Sequence, residues 1–497
     1  MSTADRLQSS ADYSGRPPVN ADRGTTAELA DWVVGSRAGD VPADVLDTAR
    51  LLLLDGLGCG LFGSTQPWSQ LVTDFVVAGG GRSEATVWGT PHRVPAASAP
   101  LANGTAVHAF EYDDLHPRAV LHAGSQAIPA AFAVAELVSA QQESDQREPV
   151  DGRELLHAVV TGFEVGARIG LATGAAQLHR GFHPSPNTGT FVAAATAARL
   201  LRLDEAQTRD AFGIAGSFGG YLMAAQYGGM VKRLHPGHSA QSGVTAALLA
   251  ARGLTGTRAV LEAPYGGWAA AVAGVPPDAL GQITADLGTA WELPSFSVKY
   301  YPCCGSNHTS IDAWWEVLGQ DRSLGPDDIE QIDVRCSTLT ADHVGWPYRP
   351  DGVTAAQMNL SYCLAAAIVD GAVTIDQFAE ERLAAPDLLD VVRRIRVRPD
   401  DEIDALGRAR RHLIHLGVTT RDGRTLTATA EHPKGSEQYP LTPTEVVEKF
   451  DLLAGRVLPV DGVHTVRQQV LALGSDDSPE VDALVRGLAA DSVPTTA

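Results

Sequence analysis

The stretch GRELLHAVVTGFEVGARIGLATG (152–174) decides how the fold is read. Leu156, Val160, Phe163 and Ala167 recur at four- and three-residue spacing, the period of a helix that buries a broad face. Upstream, VPADVLDTARLLLLDGLGCGLFG (41–63) starts with a proline suited to a first helical turn and continues amphipathically. Downstream, NTGTFVAAATAARLLRL (187–203) and HSAQSGVTAALLAARG (238–253) are Ala-rich helices lined with small residues. The helical pattern holds from about Thr25 to Leu293. Each glycine inside a helix costs up to about 1 kcal/mol relative to alanine, so their number here implies close helix contacts or close approach to a ligand.

The texture changes after about Phe296. IEQIDVRCS (329–337) and VVRRIRVRP (391–399) read as strands, and GVTTRDGRTLTATAEH (417–432) as a hairpin turning at Asp422-Gly423. AAQMNLSYCLAAAIVDG (355–371) and IDQFAEERLAA (375–385) read as helices between them. The predicted fold class is therefore mostly α with an α+β second domain. Its parts are a flexible tail over 1–24, a large helical domain over 25–295, an α+β lid over 296–437, and a return to the helical domain over 438–490.

A chain of 497 residues with 44% apolar and 20% charged residues is an ordinary globular enzyme by composition. The formal charge of −21 argues against nucleic acid or an anionic membrane as partner. Five cysteines without framework spacing predict reduced thiols in the cytoplasm, and neither a signal peptide nor a long apolar span is visible.

Against this acidic background, local clusters of cations and histidines stand out. EYDDLHPRAVLHAG (111–124) holds Glu111, Asp113, Asp114, His116 and His122 in a Pro/Gly-broken loop, where carboxylates beside imidazoles can tune proton transfer. HRGFHP (179–184) sets His179, Arg180 and His183 just before a helix start, a place suited to an anion. MVKRLHPGH (230–238) packs Lys232, Arg233, His235 and His238 into one turn, and a fourth segment runs from Lys299 through Cys303 and Cys304 to His308. The blander readings are a solvated loop, a capped helix, a basic turn and packing cysteines. Gly237-His238-Ser239-Ala240-Gln241 misses the nucleophile elbow, and VVAGGGRSEATVWG (76–89) fits no nucleotide-binding spacing. No helical His pair suggests a metal, so none is expected.

Taken in order, DGLGCGLFGS (55–64), NGTAVHAFEYDD (103–114), GFHPSPNTGTFVAAA (181–195), KRLHPGHSAQSG (232–243), YYPCCGSNHTSIDA (300–313) and HPKGSEQYPLTPTEVVEKF (432–450) resemble the MmgE/PrpD family. That family includes 2-methylcitrate dehydratase, cis-aconitate decarboxylase and iminodisuccinate epimerase. The resemblance implies a homodimer whose subunits carry a helical domain and a smaller α/β lid. Di- or tricarboxylates would bind between the two, without metal or organic cofactor. It places His122, His183, Lys232, Lys299 and Tyr362 at active-site positions, with Glu111 where the decarboxylase has aspartate. Leu115 stands in place of a threonine and Cys304 in place of a histidine.

The expected chemistry uses His122, His183, Lys232, Tyr362 and Glu111 as catalytic groups. Asp113, Asp114, Leu115, His116, Arg233, His235, Lys299 and Cys304 are expected to bind the small anionic carboxylate substrate. The leading expectation is a hydro-lyase acting on a 2-hydroxy di- or tricarboxylate. Epimerase or decarboxylase action on a related carboxylate, including a natural-product intermediate, is the alternative within the same chemistry. A non-catalytic metabolite-binding protein is the alternative of another class.

Overall fold

In the computed structural model, which describes residues 23–141, 149–227, 229–407 and 410–490, the deciding stretch lies inside one long helix, Gly152–His179. Asp151 caps it by accepting the Glu154 N–H at 2.7 Å. Its length and apolar character match a bilayer span, but neighbouring helices bury most of it. Its main cover is the helices Gly124–Ala140 and Pro184–Leu200. The predicted mobile ends lie almost wholly outside the described residues.

The glycines in these helices mark crossing points. Ala99–Val107 and Val231–Ala250 cross at Gly104 and Gly237. A Cβ on Gly237 would stand 2.2 Å from the Leu101 carbonyl oxygen, and one on Gly104 would stand 2.8 Å from the Gly237 Cα. No side chain fits there, and the crossing fixes the helix whose first turn carries Lys232 and Arg233.

The region from 25 to 293 is less uniformly helical than its periodicity predicts. The glycines at 79–81 follow the end of a helix, Pro67–Ala78, and a two-stranded ribbon of β1 (Ala85–Thr86) and β2 (Arg93–Val94) comes next. Between Ala251 and Cys304 the described chain contains only short turns of helix.

The sheet strands β3 (Ile329–Cys336), β4 (Ile395–Pro399), β5 (Ile414–Thr420) and β6 (Thr425–Ala430) lie in the order β4-β3-β5-β6. β3 pairs parallel with β4 and antiparallel with β5, and β5 and β6 form the hairpin expected at Asp422-Gly423. Ile414, Leu416, Val418 and Thr420 alternate inward, so one face is buried. The helix Gly305–Gln320 packs against β5 and β6.

Two sequence readings need correction. VVRRIRVRP is not one strand: Pro386 opens a helix that buries Leu388 and Val391 at helical spacing and runs to Arg394, so β4 begins only at Ile395. IDQFAEERLAA forms only a short turn, Ile375–Phe378, and a single helical turn, Glu380–Leu383.

After the sheet, the helix Pro443–Ala454 packs on Ala43–Ser64, where Phe450 lies against Gly58. Lys449 pairs with buried Asp55 at 2.6 Å. The same ammonium donates to the carbonyls of Tyr112 at 2.6 Å and Lys299 at 2.9 Å. One C-terminal side chain therefore ties together the two segments that carry Glu111 and Lys299.

Candidate active site

A cavity of about 90 Å³ opens where these segments meet the sheet-bearing region. The helical side contributes Glu111, Leu115, His122, His183, Ser185 and Lys232 to its lining. The chain beyond residue 296 contributes Lys299, Cys304, Ser306, His343, Arg411 and His412.

Glu111 organises the cations. Its backbone sits at φ 54°, a left-handed conformation rare for a non-glycine residue and a form of local strain found at functional sites. The carboxylate contacts the Lys232 ammonium, accepts from Arg233 Nη1 at 2.6 Å, and lies 3.4 Å from Lys299 Nζ. Lys299 also donates to the Glu111 carbonyl at 3.0 Å. Burial opposes the charge on Glu111, but the three cations outweigh it and hold the carboxyl well below its ordinary range. Burial lowers Lys232, whereas Glu111 and Asp113 outweigh burial at Lys299 and raise it. Three cations share one carboxylate, so the cluster keeps net positive charge for an incoming anion.

The histidines lie beside this cluster. His122 Nδ1 donates to the Asp114 carbonyl at 2.6 Å, which fixes the tautomer, and its backbone N–H donates to Ser185 Oγ at 3.0 Å. Burial lowers the His122 pKa to about 3, so without ligand the ring is neutral with Nε2 as its free nitrogen. His183 closes the N-terminal end of the helix Pro184–Leu200, with Nδ1 3.1 Å from His235 Nδ1. Burial and nearby Lys232 keep it neutral as well. The His108 ring packs edge-on to His122, with centroids 4.9 Å apart, and bonds Asp113 at 2.8 Å, while its buried Nε2 finds no partner among the described residues. His108, Asp113 and His122 are spaced closely enough to hold an ion. In this structure His108 Nδ1 is bonded to Asp113 at 2.8 Å, and His122 Nδ1 is committed to a backbone carbonyl.

The two aspartates beneath the cavity are shifted in opposite directions. Burial raises Asp113, but its interactions with the neighbouring histidines, led by hydrogen-bonded His108, outweigh burial and lower it. Burial and the neighbouring Asp113 push the Asp114 carboxyl well above its ordinary range, and its Oδ1 accepts the Gly124 N–H at 3.0 Å. A folded pKa above the unfolded value means that Asp114 weakens the fold as pH rises from the ordinary carboxylate range toward that raised value. Asp114→Asn, which keeps the acceptor, is expected to preserve stability at neutral pH and to remove this dependence. Asp113→Asn leaves His108 poorly satisfied and is expected to cost about 1–3 kcal/mol. Urea titrations of both variants at several pH values check the contrast.

The remaining expected site residues separate into lining and support. Leu115 lines the cavity and is held by backbone bonds to Ser297 at 2.9 and 2.8 Å. Cys304 also lines it, with a thiol that burial keeps protonated. Arg233 is buried behind the wall, where it joins Glu111 to Gln357 at 2.9 Å. His116 points away to Glu292 at 3.3 Å, and His235 backs His183.

Tyr362 is a correction. Its hydroxyl donates to the Gln377 carbonyl at 2.5 Å, and its ring packs between Tyr348 and Phe378. The helix Leu360–Asp370 turns this side chain into the core of the α+β region, and it does not line the cavity.

Several lining or supporting groups escaped the sequence reading. His108 stood inside the quoted NGTAVHAFEYDD, but an apolar-flanked histidine carries little signal. Ser306 adjoins Cys303 and Cys304, whereas His343, Arg411 and His412 lie in stretches that carry no local motif. Gln357 donates to the carbonyls of Phe110 at 2.7 Å and Pro302 at 2.9 Å, a bridge that no local pattern announces.

Fold and site together define a helical protein with a cationic, histidine-lined pocket beneath an α+β cap. This chain belongs to the MmgE/PrpD family: the MmgE/PrpD N-terminal domain matches residues 27–279 and the C-terminal domain residues 301–474. It is 36% identical to the cis-aconitate decarboxylase-like protein oryM of Aspergillus oryzae, over 93% of this chain and 97% of that protein. It is 31% identical to the cis-aconitate decarboxylase of Aspergillus terreus, over 94% and 96% of the two chains. Identity to the human cis-aconitate decarboxylase is 29%, over 93% and 94%. These relatives support a lyase, but they favour decarboxylation and give no support to the hydro-lyase preference drawn from the sequence.

Proposed function

We propose that this chain is a lyase that removes CO2 from an unsaturated tricarboxylate of the cis-aconitate type, using only its own side chains. The observation that carries this reading is the meeting of the Lys232–Lys299 cationic pair with a His122 ring whose Nδ1–H is fixed and whose Nε2 is free. Substrate carboxylates supply the negative charge that the Glu111 cluster lacks, and this charge raises the pKa of nearby imidazole. His122 then takes up a proton at Nε2 and becomes a positioned acid.

In the reaction, the bond to the departing carboxylate breaks and its electron pair forms a new carbon–carbon double bond. The electrons of the original double bond move to the carbon next to a second carboxylate, and that carbon takes the proton from His122. Charge building on the second carboxylate is met by Lys232 and Lys299, which are already in place and need no reorganisation. A trianion and one proton thus yield CO2 and an unsaturated dianion.

NMR of the purified protein in D2O with cis-aconitate, citrate and 2-methylcitrate tests the reading. The expected result is CO2 release from cis-aconitate, with one solvent deuterium in the product. Water loss from a hydroxy acid without CO2 would overturn it in favour of a hydro-lyase. Deuterium exchange alone would point to an epimerase, and thermal stabilisation without turnover to a binding protein.

A further inference from the structure

Most buried cations near this site have a carboxylate partner. Lys232, Arg233 and Lys299 share Glu111, and Lys449 has Asp55. Arg411 differs. Among the described residues it forms no ion pair, and its Nε donates at 3.0 Å to the neighbouring His412 Nε2. Its position is built nonetheless, because its backbone carbonyl accepts the hydroxyls of Ser337 at 2.9 Å and Thr340 at 2.8 Å. These bonds hold the short segment before β5 against the turn that opens the helix Thr338–Val344.

Arg411 also occupies a junction. It lines the inner cavity and a second, outer cavity of about 370 Å³, and the two share Leu115, Lys299, Gly305, Arg411 and His412. His343 and His412 beside it are kept neutral by burial and by the guanidinium itself. A half-buried guanidinium that lines a cavity without a counter-ion is poorly compensated, and its planar fork matches a carboxylate.

We infer that Arg411 is a carboxylate subsite of this pocket, supplied by the α+β region and separate from the lysine pair. It binds a carboxylate that the substrate retains while Lys232 and Lys299 hold another, so the pocket selects a polycarboxylate that reaches from the Glu111 cluster to the mouth of the outer cavity. This rests on the proposed function only in requiring a substrate with several carboxylates.

Calorimetric binding of the unreactive propane-1,2,3-tricarboxylate and of glutarate is the test. Arg411→Gln is expected to weaken tricarboxylate binding by about tenfold or more, the scale of one charge-assisted contact, and to abolish any preference over glutarate. Affinity within twofold of the unmodified protein would overturn the inference. Arg410→Gln, which removes a cation paired with Glu431 at the outer cavity, is expected to change little. If Arg411→Gln does not fold, the wild-type protein decides: tricarboxylate should slow modification of Arg411 by phenylglyoxal, read by peptide mass spectrometry, and an unchanged rate would count against the subsite. Neither ligand reacts, so failure of the decarboxylation assay with intact Arg411-dependent binding indicts the reaction and leaves the subsite standing.

Discussion

His122→Asn is expected to lower kcat by about 10²–10⁴-fold, the range for loss of a positioned acid, while KM changes far less. Asparagine can still donate to the Asp114 carbonyl and so keeps the local fold, but it offers no nitrogen that can be protonated. Steady-state kinetics on cis-aconitate read the effect, and a variant within threefold of wild type would remove His122 from the mechanism. The same residue predicts proton uptake on ligand binding, seen as a buffer-dependent binding enthalpy in the wild type and reduced in the variant. Its folded pKa of about 3 lies below that of the unfolded chain. The unfolded state therefore binds the extra proton, and the fold gains stability as pH rises from about 3 through the ordinary histidine range.

Glu111→Gln is expected to be the most damaging conservative change, costing about 3–5 kcal/mol because Lys232, Arg233 and Lys299 lose their shared anion while remaining buried. Denaturant unfolding at neutral pH measures it. Glu111 has a depressed folded pKa, so its contribution is present above the unfolded carboxylate value and is lost as pH falls through the folded one. The wild type and Glu111→Gln should therefore converge in stability at strongly acidic pH. A loss below about 1 kcal/mol at pH 7 would mean that the three cations do not depend on this carboxylate.

The helical half and the sheet were legible because their signals are local. The spacing of Leu156, Val160 and Phe163 and the Asp422-Gly423 turn each appear within a few residues of chain. The end of the helix at Arg394 was misread because Val391, Val392 and Ile395 suit a strand, while the Pro386 start and the buried Leu388 argue otherwise only once the helix is placed. At the site, Glu111, His122, His183, Lys232, Lys299, Leu115 and Cys304 line one cavity, as the family motifs imply. Tyr362 shows the limit of that inheritance, because a side chain's direction depends on packing by Tyr348 and Phe378. Arg411 shows the complementary limit. In the sequence it is one arginine in a charged run, and only the fold reveals that it has no carboxylate beside it.

The ammonium of Lys449 bears on the order in which the molecule is made. Synthesis delivers Asp55, Tyr112 and Lys299 long before Lys449, yet Lys449 is the residue that bonds to all three. A ribosome-bound chain that has finished its sheet still lacks the clasp between the loop of Glu111 and the segment of Lys299. The pocket is therefore tied together only once Lys449 has been made, and a chain truncated before that residue lacks the bonds that join the loop of Glu111 to the segment of Lys299.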